Sequence, residues 1–441
     1  MKAEDTVVAQ ATPHGHGSIS VIRLSGEDSL KIVSKITKTS KVFVNRAATL
    51  RTVYLPKNKE IDRSVFTFFK QPNSYTGEDV VEISCHGNPF VVQSIISLCC
   101  KYGARIAEPG EFTKRAFLNK KLDLVQAEAV GDLISARSEE AAVHQNKNLS
   151  GFVSLEVNNI KNSILSVLSS IEFELDISES ENNLSQNVNN YRKINENNIL
   201  SVKNILKSYK MGLAYTSGVR IVLLGKPNVG KSTLMNQILK KERSITSHLS
   251  GTTRDTVASE IILSGVPVTL IDTAGVVDSK NPIEREGVLR TTKEVEKADI
   301  VLSLSAPDIN EVLIDDLKKV VSVFNKVDAL KEKSRLKNVF YISALKGEGI
   351  KELLFELEKK LVHNNPSTNS TINNLRQHES LLRSSRSLIR ASELLKESAF
   401  VELELVAFEL RSAINHLEVF LGKITSEDLL DSVFSGFCVG K

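Results

Sequence analysis

The sequence predicts a multidomain α/β chain: an N-terminal α+β domain, an all-α helical domain, and a doubly wound α/β domain inserted into the helical one. Three observations carry this. The chain has 441 residues, too many for one ordinary domain. Between Val219 and Val362, β-rich runs alternate with helical stretches, the pattern of a mostly parallel sheet covered on both faces. Helical periodicity lies on both sides of that alternation, so the economical arrangement is one helical domain interrupted by the α/β unit. The expected boundaries are 1–118 for the first domain, 119–216 and 365–441 for the two helical parts, and 217–364 for the insert.

In the first domain Ser18–Leu24, Ser64–Phe69 and Val80–Ser84 read as strands. The segments TPHGHG, PNSYTG and EPGEF are Pro/Gly punctuation between elements. From Leu122 the period changes. Leu122, Val125, Ala129 and Leu133 fall at helical spacing, and Ile160, Ile164, Val167, Ile171 and Leu175 repeat it. The Asn-rich run Ser178–Asn198 reads as a loop or a frayed helix end. In the insert, VRIVLLG, VASEIIL, VPVTLID, ADIVLSLS, VVSVFNKVD and NVFYISA are the expected strands. PSTNS at 366–370 breaks the chain, and helical periodicity returns from about Ile372 to Leu430.

Composition excludes several classes. Apolar residues make up 41% and charged residues 25%, typical of a globular protein with several cores. The net charge of +4 tolerates a nucleic acid without arguing for one. The opening MKAEDTVVAQ lacks a basic start followed by an apolar run, so it is not a signal peptide. The most apolar stretch, Phe90–Cys100, contains Gln and Ser and falls short of a membrane span. Cys85, Cys99, Cys100 and Cys438 show neither paired nor zinc-binding spacing. The expectation is a cytoplasmic chain without membrane segments, disulfides or zinc.

The insert carries a nucleotide site. Gly225–Ser232 reads GKPNVGKS, a G-x-x-x-x-G-K-[ST] phosphate loop between a strand and a helix. Its glycines let backbone N–H groups and the helix N-terminus face phosphate oxygens. Asn228, Val229, Gly230 and Thr233 belong to that loop and the turn after it. Lys231 is expected to reach the β and γ phosphates, and the Ser232 hydroxyl to ligate Mg²⁺. Asp272-Thr273-Ala274-Gly275 ends a strand, placing a carboxylate at the Mg²⁺ water shell and the Gly275 N–H toward the γ phosphate. Thr252 and Thr253 stand in SGTTRD, on the loop that the γ phosphate orders, with Thr253 the second expected Mg²⁺ ligand. Asn325-Lys326-Val327-Asp328 ends another strand. The Asp328 carboxylate accepts two N–H bonds that guanine offers and adenine does not, and Ser343-Ala344 completes the base pocket. The nucleotide is therefore GTP. After DTAG comes Val276, where Ras-like proteins place a water-orienting Gln, so charge stabilisation in the transition state must come from elsewhere.

Five stretches together resemble the tRNA modification GTPase family MnmE (TrmE) over nearly the whole chain. They are DTVVAQATPHGHGSISVIRLSG, PNSYTGEDVVEISCHGNP, EPGEFTKRAFLNKKLDLVQAEAVGDLI, the GTPase motifs, and the closing FCVGK. The resemblance implies a folate-binding-type N-terminal domain that also dimerises, a helical domain, and an inserted Ras-like G domain. It implies K⁺-dependent hydrolysis, with K⁺ in an arginine finger's place. The K⁺ contacts would come from Asn228 and from oxygens of Ser247, Leu249 and Thr252 in the loop Ser247-His248-Leu249-Ser250-Gly251-Thr252. A catalytic Glu acting through water matches Glu284. Arg23, Glu82, Lys121 and Lys441 are the implied folate-binding residues, with 5-formyl- or methylene-tetrahydrofolate as cofactor. Cys438 of CVGK is the implied thiol of the modification chemistry. One departure is His16, where members often carry Arg. The implied partners are a second copy of the chain, the FAD protein MnmG in a heterotetramer, and tRNA. The implied reaction adds an aminomethyl-type group at carbon 5 of the wobble uridine.

Two rivals stand beside this. An Era-like RNA- or ribosome-assembly GTPase would carry an RNA-binding module such as KH with its G-x-x-G loop, and none follows the insert. A folate-dependent aminomethyltransferase with a regulatory GTPase would work without a flavin partner. No flavin-binding G-x-G-x-x-G follows a strand here.

Overall fold

The computed structural model describes residues 5–177, 184–241, 257–273, 291–307, 319–330, 338–362, 371–396 and 402–441. Contacts group the chain into two compact units. One contains Met1–Gly131, Asn148–Asn182 and Phe400–Lys441; the other contains Asp132–Lys147 and Asn183–Ala399.

The first unit is built on a six-stranded sheet in the order β3-β4-β5-β2-β1-β6. The strands are β1 Thr6–Gln10, β2 Ile19–Ser25, β3 Ala48–Tyr54, β4 Glu60–Phe69, β5 Val80–His86 and β6 Ala104–Ile106. All neighbours are antiparallel except β1 and β6. Strand alternation sorts the side chains between two faces. Val8, Ile22, Leu24, Phe66, Val81 and Ile83 form one core with helices Ser29–Thr37 and Pro89–Lys101. Val7 and Ala9 face the other way and pack with Ala107, Phe112 and Tyr75. Arg23 lies opposite Ala9 on one side and Glu82 on the other, so the sheet register puts all three on this second face. Helix Phe152–Ile177 of the same unit packs against helix Leu403–Leu421, with Arg411 paired to Glu172 at 2.6 Å.

Five charges sit at the end of β1. Arg115 donates to Asp5 at 2.7 Å, to Glu111 at 2.8 Å and to Glu78 at 3.1 Å. Arg105 donates to the same Glu111 at 2.8 Å and to Asp5 at 2.8 Å. Glu111 is only 1% exposed. Its burial opposes ionisation, but hydrogen bonds from Arg105, the Glu108 N–H and Arg115 outweigh that and hold its carboxyl below the usual range. Asp5 shifts the same way: desolvation is overcome by the two arginines.

The second unit carries the sheet β12-β11-β10-β7-β9-β8. Its strands are β7 Val219–Leu224, β8 Val257–Leu263, β9 Val266–Asp272, β10 Ile300–Ser305, β11 Val320–Phe324 and β12 Val339–Tyr341. Every pairing is parallel except that of β8 with β9. Helices Lys231–Lys241 and Ile350–Val362 contribute Leu234, Ile238, Leu353 and Leu357 to its core. The insert is doubly wound, as its alternation predicts.

One segment departs from the sequence reading. The described part of the Asn-rich run, from residue 184, belongs to helix Leu184–Lys207. Tyr191, Asn195, Asn198, Val202 and Ile205 are its buried positions, spaced by four and three residues. Asn195 Nδ2 donates to the Leu388 carbonyl at 2.8 Å, in the neighbouring helix Leu375–Leu394. Asparagines at core-facing positions hid the periodicity from a hydrophobicity reading.

All four cysteines are free. Burial pushes the Cys85 thiol up to about 11 and the Cys99 thiol to about 12, as fits core packing. Among the described residues, no helix is long and apolar enough to cross a membrane.

The charge cluster makes a stability prediction. Carboxyl pKa values lowered by folding contribute stability that is complete above the unfolded values and lost as pH falls through the folded ones. The first unit should therefore lose stability below about pH 4. Arg115→Ala removes one partner of a buried pair and should cost about 3–5 kcal/mol. Urea unfolding read by hydrogen exchange of peptides covering β1 and β6 measures both, and an unchanged midpoint would show the cluster to be dispensable.

Candidate functional site

Two sites can be built from the described residues, one in each unit. The nucleotide motifs converge at the carboxyl ends of β7, β9, β10 and β11, where an open α/β sheet presents its crevice. The loop after β7 turns through Asn228 at φ +67 and Gly230 at φ +96 before helix Lys231–Lys241 begins. A Cβ on Gly230 would stand 2.3 Å from the Asn325 amide nitrogen, so this position requires glycine for space as well as for dihedral. Val229 is fully buried, while Asn228, Ser232 and Thr233 are exposed. The buried Lys231 lays its Nζ on the Gly225 and Lys226 carbonyls at 2.8 and 3.0 Å.

Ser232 Oγ donates to Asp272 Oδ2 at 2.6 Å, joining the helix start to the end of β9. Asp272 Oδ1 is buried and has no hydrogen-bond partner among the described residues. A hydroxyl beside an orphaned carboxylate oxygen is an all-oxygen donor set that suits Mg²⁺. Thr273 Oγ1 donates to the Leu223 carbonyl at 2.7 Å and fixes the strand end next to it.

The base-reading loops are tied together by Asn325. Its Nδ2 donates to the Val229 carbonyl at 2.8 Å, and its Oδ1 accepts the Ala344 N–H at 2.9 Å. Lys326 turns the chain at φ +61. Asp328 accepts from Ser343 Oγ at 2.7 Å, and this hydrogen bond holds its carboxyl below the usual range, in the ionised form that guanine recognition needs. Ser247, His248, Leu249, Ser250, Gly251, Thr252, Thr253, Ala274, Gly275, Val276 and Glu284 lie outside the described residues.

The second site lies on the β1/β2/β5 face of the first unit. Arg23 Nε and Nη2 both donate to Glu82 Oε1, at 3.0 and 2.7 Å. Among the described residues Glu82 Oε2 accepts no hydrogen bond and Arg23 Nη1 donates none, so a ligand with complementary N–H and oxygen groups fits the pair. The guanidinium carbon stands 5.3 Å from the Tyr75 ring centre and 5.7 Å from that of Phe112. Tyr75 and Phe112 were not among the sequence candidates. They come from PNSYTG and EPGEF, whose turn residues drew attention away from the aromatic beside them. Lys121 donates to the Pro72 carbonyl at 3.0 Å and so joins the loop that carries Tyr75. The Phe112 N–H donates to the backbone oxygen of Lys441 at 3.0 Å, which brings the FCVGK segment to the same turn. Cys438 is exposed. The structure thus gathers Arg23, Glu82 and the segment Cys438–Lys441 around Phe112, with Lys121 on the adjoining loop.

Comparison with known proteins finds relatives along the whole chain. Residues 6–121 match the family model described as GTP-binding protein TrmE N-terminus, and residues 124–438 match that of the MnmE helical domain. The tRNA modification GTPase MnmE of Thermotoga maritima is 40% identical over 460 residues, covering 99% of this chain and 100% of that protein. The Aquifex aeolicus protein of the same name is 38% identical, at 99% and 100% coverage. The one from Francisella philomiragia is 41% identical, with both chains covered at 100%. A solved structure of Aquifex aeolicus Era bound to GDP·AlF4⁻ is 27% identical, covering 41% of this chain and 68% of that one. Its TM-score of 0.27 supports no inference. With full-length identity near 40% and the two family models spanning most of its residues, the chain belongs to the MnmE (TrmE) family of tRNA modification GTPases.

Proposed function

We propose that this chain is a K⁺-dependent GTPase that, with the flavoprotein MnmG, places an aminomethyl-type group at carbon 5 of the wobble uridine of certain tRNAs, using a tetrahydrofolate one-carbon unit. GTP hydrolysis in tRNA modification follows from the family it belongs to. The finer reading rests on one observation. A single chain holds both a guanine-selecting phosphate site and a half-buried Arg23–Glu82 pair beside a cysteine-bearing segment. A GTPase alone has no use for the second site.

In the nucleotide site the P-loop amides and Lys231 bind the phosphates, and Asp328 with Ser343 selects guanine. Ser232, Asp272 and Thr253 are the residues to hold Mg²⁺, which when bound neutralises phosphate charge. Asn228, with oxygens of Ser247, Leu249 and Thr252, is the proposed K⁺ contact set. Glu284 is the proposed residue that orients the attacking water in place of the side chain Val276 lacks. At the second site Glu82 would accept pterin N–H groups, while Arg23, Lys121 and Lys441 suit the carbonyl and anionic parts of 5-formyl- or methylene-tetrahydrofolate. The proposed organisation has the G domain, 217–364, inserted between helical parts 119–216 and 365–441, behind a dimerising domain 1–118. A homodimer would join MnmG in a heterotetramer acting on tRNA in the cytoplasm.

Five outcomes check this. GTPase activity should be far higher in KCl than in NaCl at equal ionic strength. Asn228→Ala should remove that stimulation at a cost of about 10²-fold in rate, and Glu284→Ala should lower kcat with little change in GTP affinity. Equal rates in the two salts would defeat the K⁺ assignment. Asp328→Asn should shift base preference from guanine toward xanthine, read by competition binding of the two nucleotides. Cys438→Ser should abolish wobble-uridine modification, measured by nucleoside mass spectrometry with MnmG supplied, while K⁺-stimulated hydrolysis stays near wild type. Full modification by that variant would make the thiol a bystander.

A further inference from the structure

The FCVGK segment is held through its backbone. The Gly110 N–H donates to the Cys438 carbonyl at 3.4 Å, and the Phe112 N–H to the Lys441 backbone oxygen at 3.0 Å. Between them Val439 pairs antiparallel with Pro109. Gly440 is buried at φ +99, and a Cβ there would stand 2.1 Å from the Gln10 carbonyl oxygen. None of these contacts uses the Cys438 thiol, which stays exposed.

The turn that grips the segment is itself braced from below. Glu111 Oε2 accepts the Glu108 N–H at 2.7 Å, closing the turn, and Arg105 and Arg115 hold that buried carboxylate in place. The next residue is Phe112, whose ring lies under the Arg23 guanidinium. One short turn therefore fixes both the backbone of the cysteine-bearing segment and one wall of the Arg23 environment.

We infer that the Glu108–Phe112 turn positions the Cys438 segment against the Arg23–Glu82 face, with Glu111 and Gly440 as positioning residues for the modification reaction. This rests on the folate-and-thiol reading above. The physical consequence concerns geometry rather than chemistry. An L-residue at 440 meets both an unfavourable φ and a backbone collision, so the segment leaves the turn and the thiol loses its fixed place. Misplacing a reacting group by about 1 Å can cost on the order of 10²-fold in rate while the distant binding sites remain intact. Glu111 acts one step removed, by keeping the Gly110 and Phe112 amides aimed at the segment's oxygens.

Gly440→Ala in the full chain tests this. Amide exchange at Gly110 and Phe112, read at residue resolution, should accelerate about 10-fold or more as the hydrogen bonds to the segment are lost. Wobble-uridine modification with MnmG should fall about 10-fold or more. GTP hydrolysis in KCl should stay near wild type. Protected amides in this variant, or fast amides with full modification, would overturn the inference. Phe112→Leu is the complementary variant: it keeps the N–H and should leave the amides protected while weakening 5-formyltetrahydrofolate binding. Unchanged binding there would overturn the Arg23 half. The underlying reading fails separately, through normal modification by Cys438→Ser, a variant that leaves the segment's amide contacts untouched.

Discussion

The buried carboxylate of Glu111 is the constraint on which the first unit turns. A carboxylate that is 1% exposed is tolerable only because two guanidiniums and a backbone N–H converge on it. Those donors arrive from β6, from the helix that Glu111 itself opens, and from the turn before it. Asp5 and Glu78 then complete the coordination of Arg115 from the start of β1 and from the loop before β5. Elements distant in the chain are pinned at one point, so strands β1 and β6, the Tyr75 loop and the Phe112 turn cannot move independently. The position of Arg23 between Tyr75 and Phe112 inherits that rigidity.

Legibility in the sequence followed the range of the determining interactions. The phosphate loop was readable because glycines and a lysine at fixed spacing dictate its backbone locally. Strands β7, β9 and β10 were readable as apolar runs, since a parallel sheet buries both of their faces. β3 escaped because it is a half-exposed edge whose pattern includes Arg51 and two threonines, and β6 because it is only three residues long. The charge cluster was unreadable for a different reason. Arg115 and Asp5 are 110 residues apart, and nothing local distinguishes a buried arginine from a solvated one. The motifs PNSYTGED and EPGEFTKRAF carried the family resemblance, while the physical role of their Glu78, Glu111 and Arg115 became visible only in three dimensions. Helix Leu184–Lys207 shows the converse: its core positions are regular in spacing, but two of them are asparagine.

Both candidate sites combine buried anchoring groups with exposed side chains to which the proposed function gives the acting roles. In the first unit, backbone hydrogen bonds and Gly440 hold the segment while the Cys438 thiol is left outside the contacts. In the second, Val229, Asn325 and Thr273 are buried and hold loops, whereas Asn228, Ser232 and Thr233 face outward. Reactive or ligating side chains gain fixed positions in this way without desolvating themselves, which would raise the cost of carrying charge. The arrangement also explains why glycines recur at both sites: where backbone approaches backbone or a buried amide, a Cβ has no room.

Asn325 takes this logic furthest. Its amide nitrogen holds the Val229 carbonyl of the phosphate loop, and its amide oxygen holds the Ala344 N–H of the base loop. The same nitrogen stands where a Cβ on Gly230 would fall, 2.3 Å away. A shift of the phosphate loop must therefore move Asn325 or break its hydrogen bond, and moving Asn325 displaces the Ser343-Ala344 turn that sets Asp328 through its 2.7 Å hydrogen bond. The proposed phosphate-binding and guanine-reading loops share one buried side chain, so the two halves of the candidate nucleotide site are mechanically one. That makes Asn325 a residue whose loss would be felt at both ends of the nucleotide, although it is described by sequence motif only as part of the base-recognition loop.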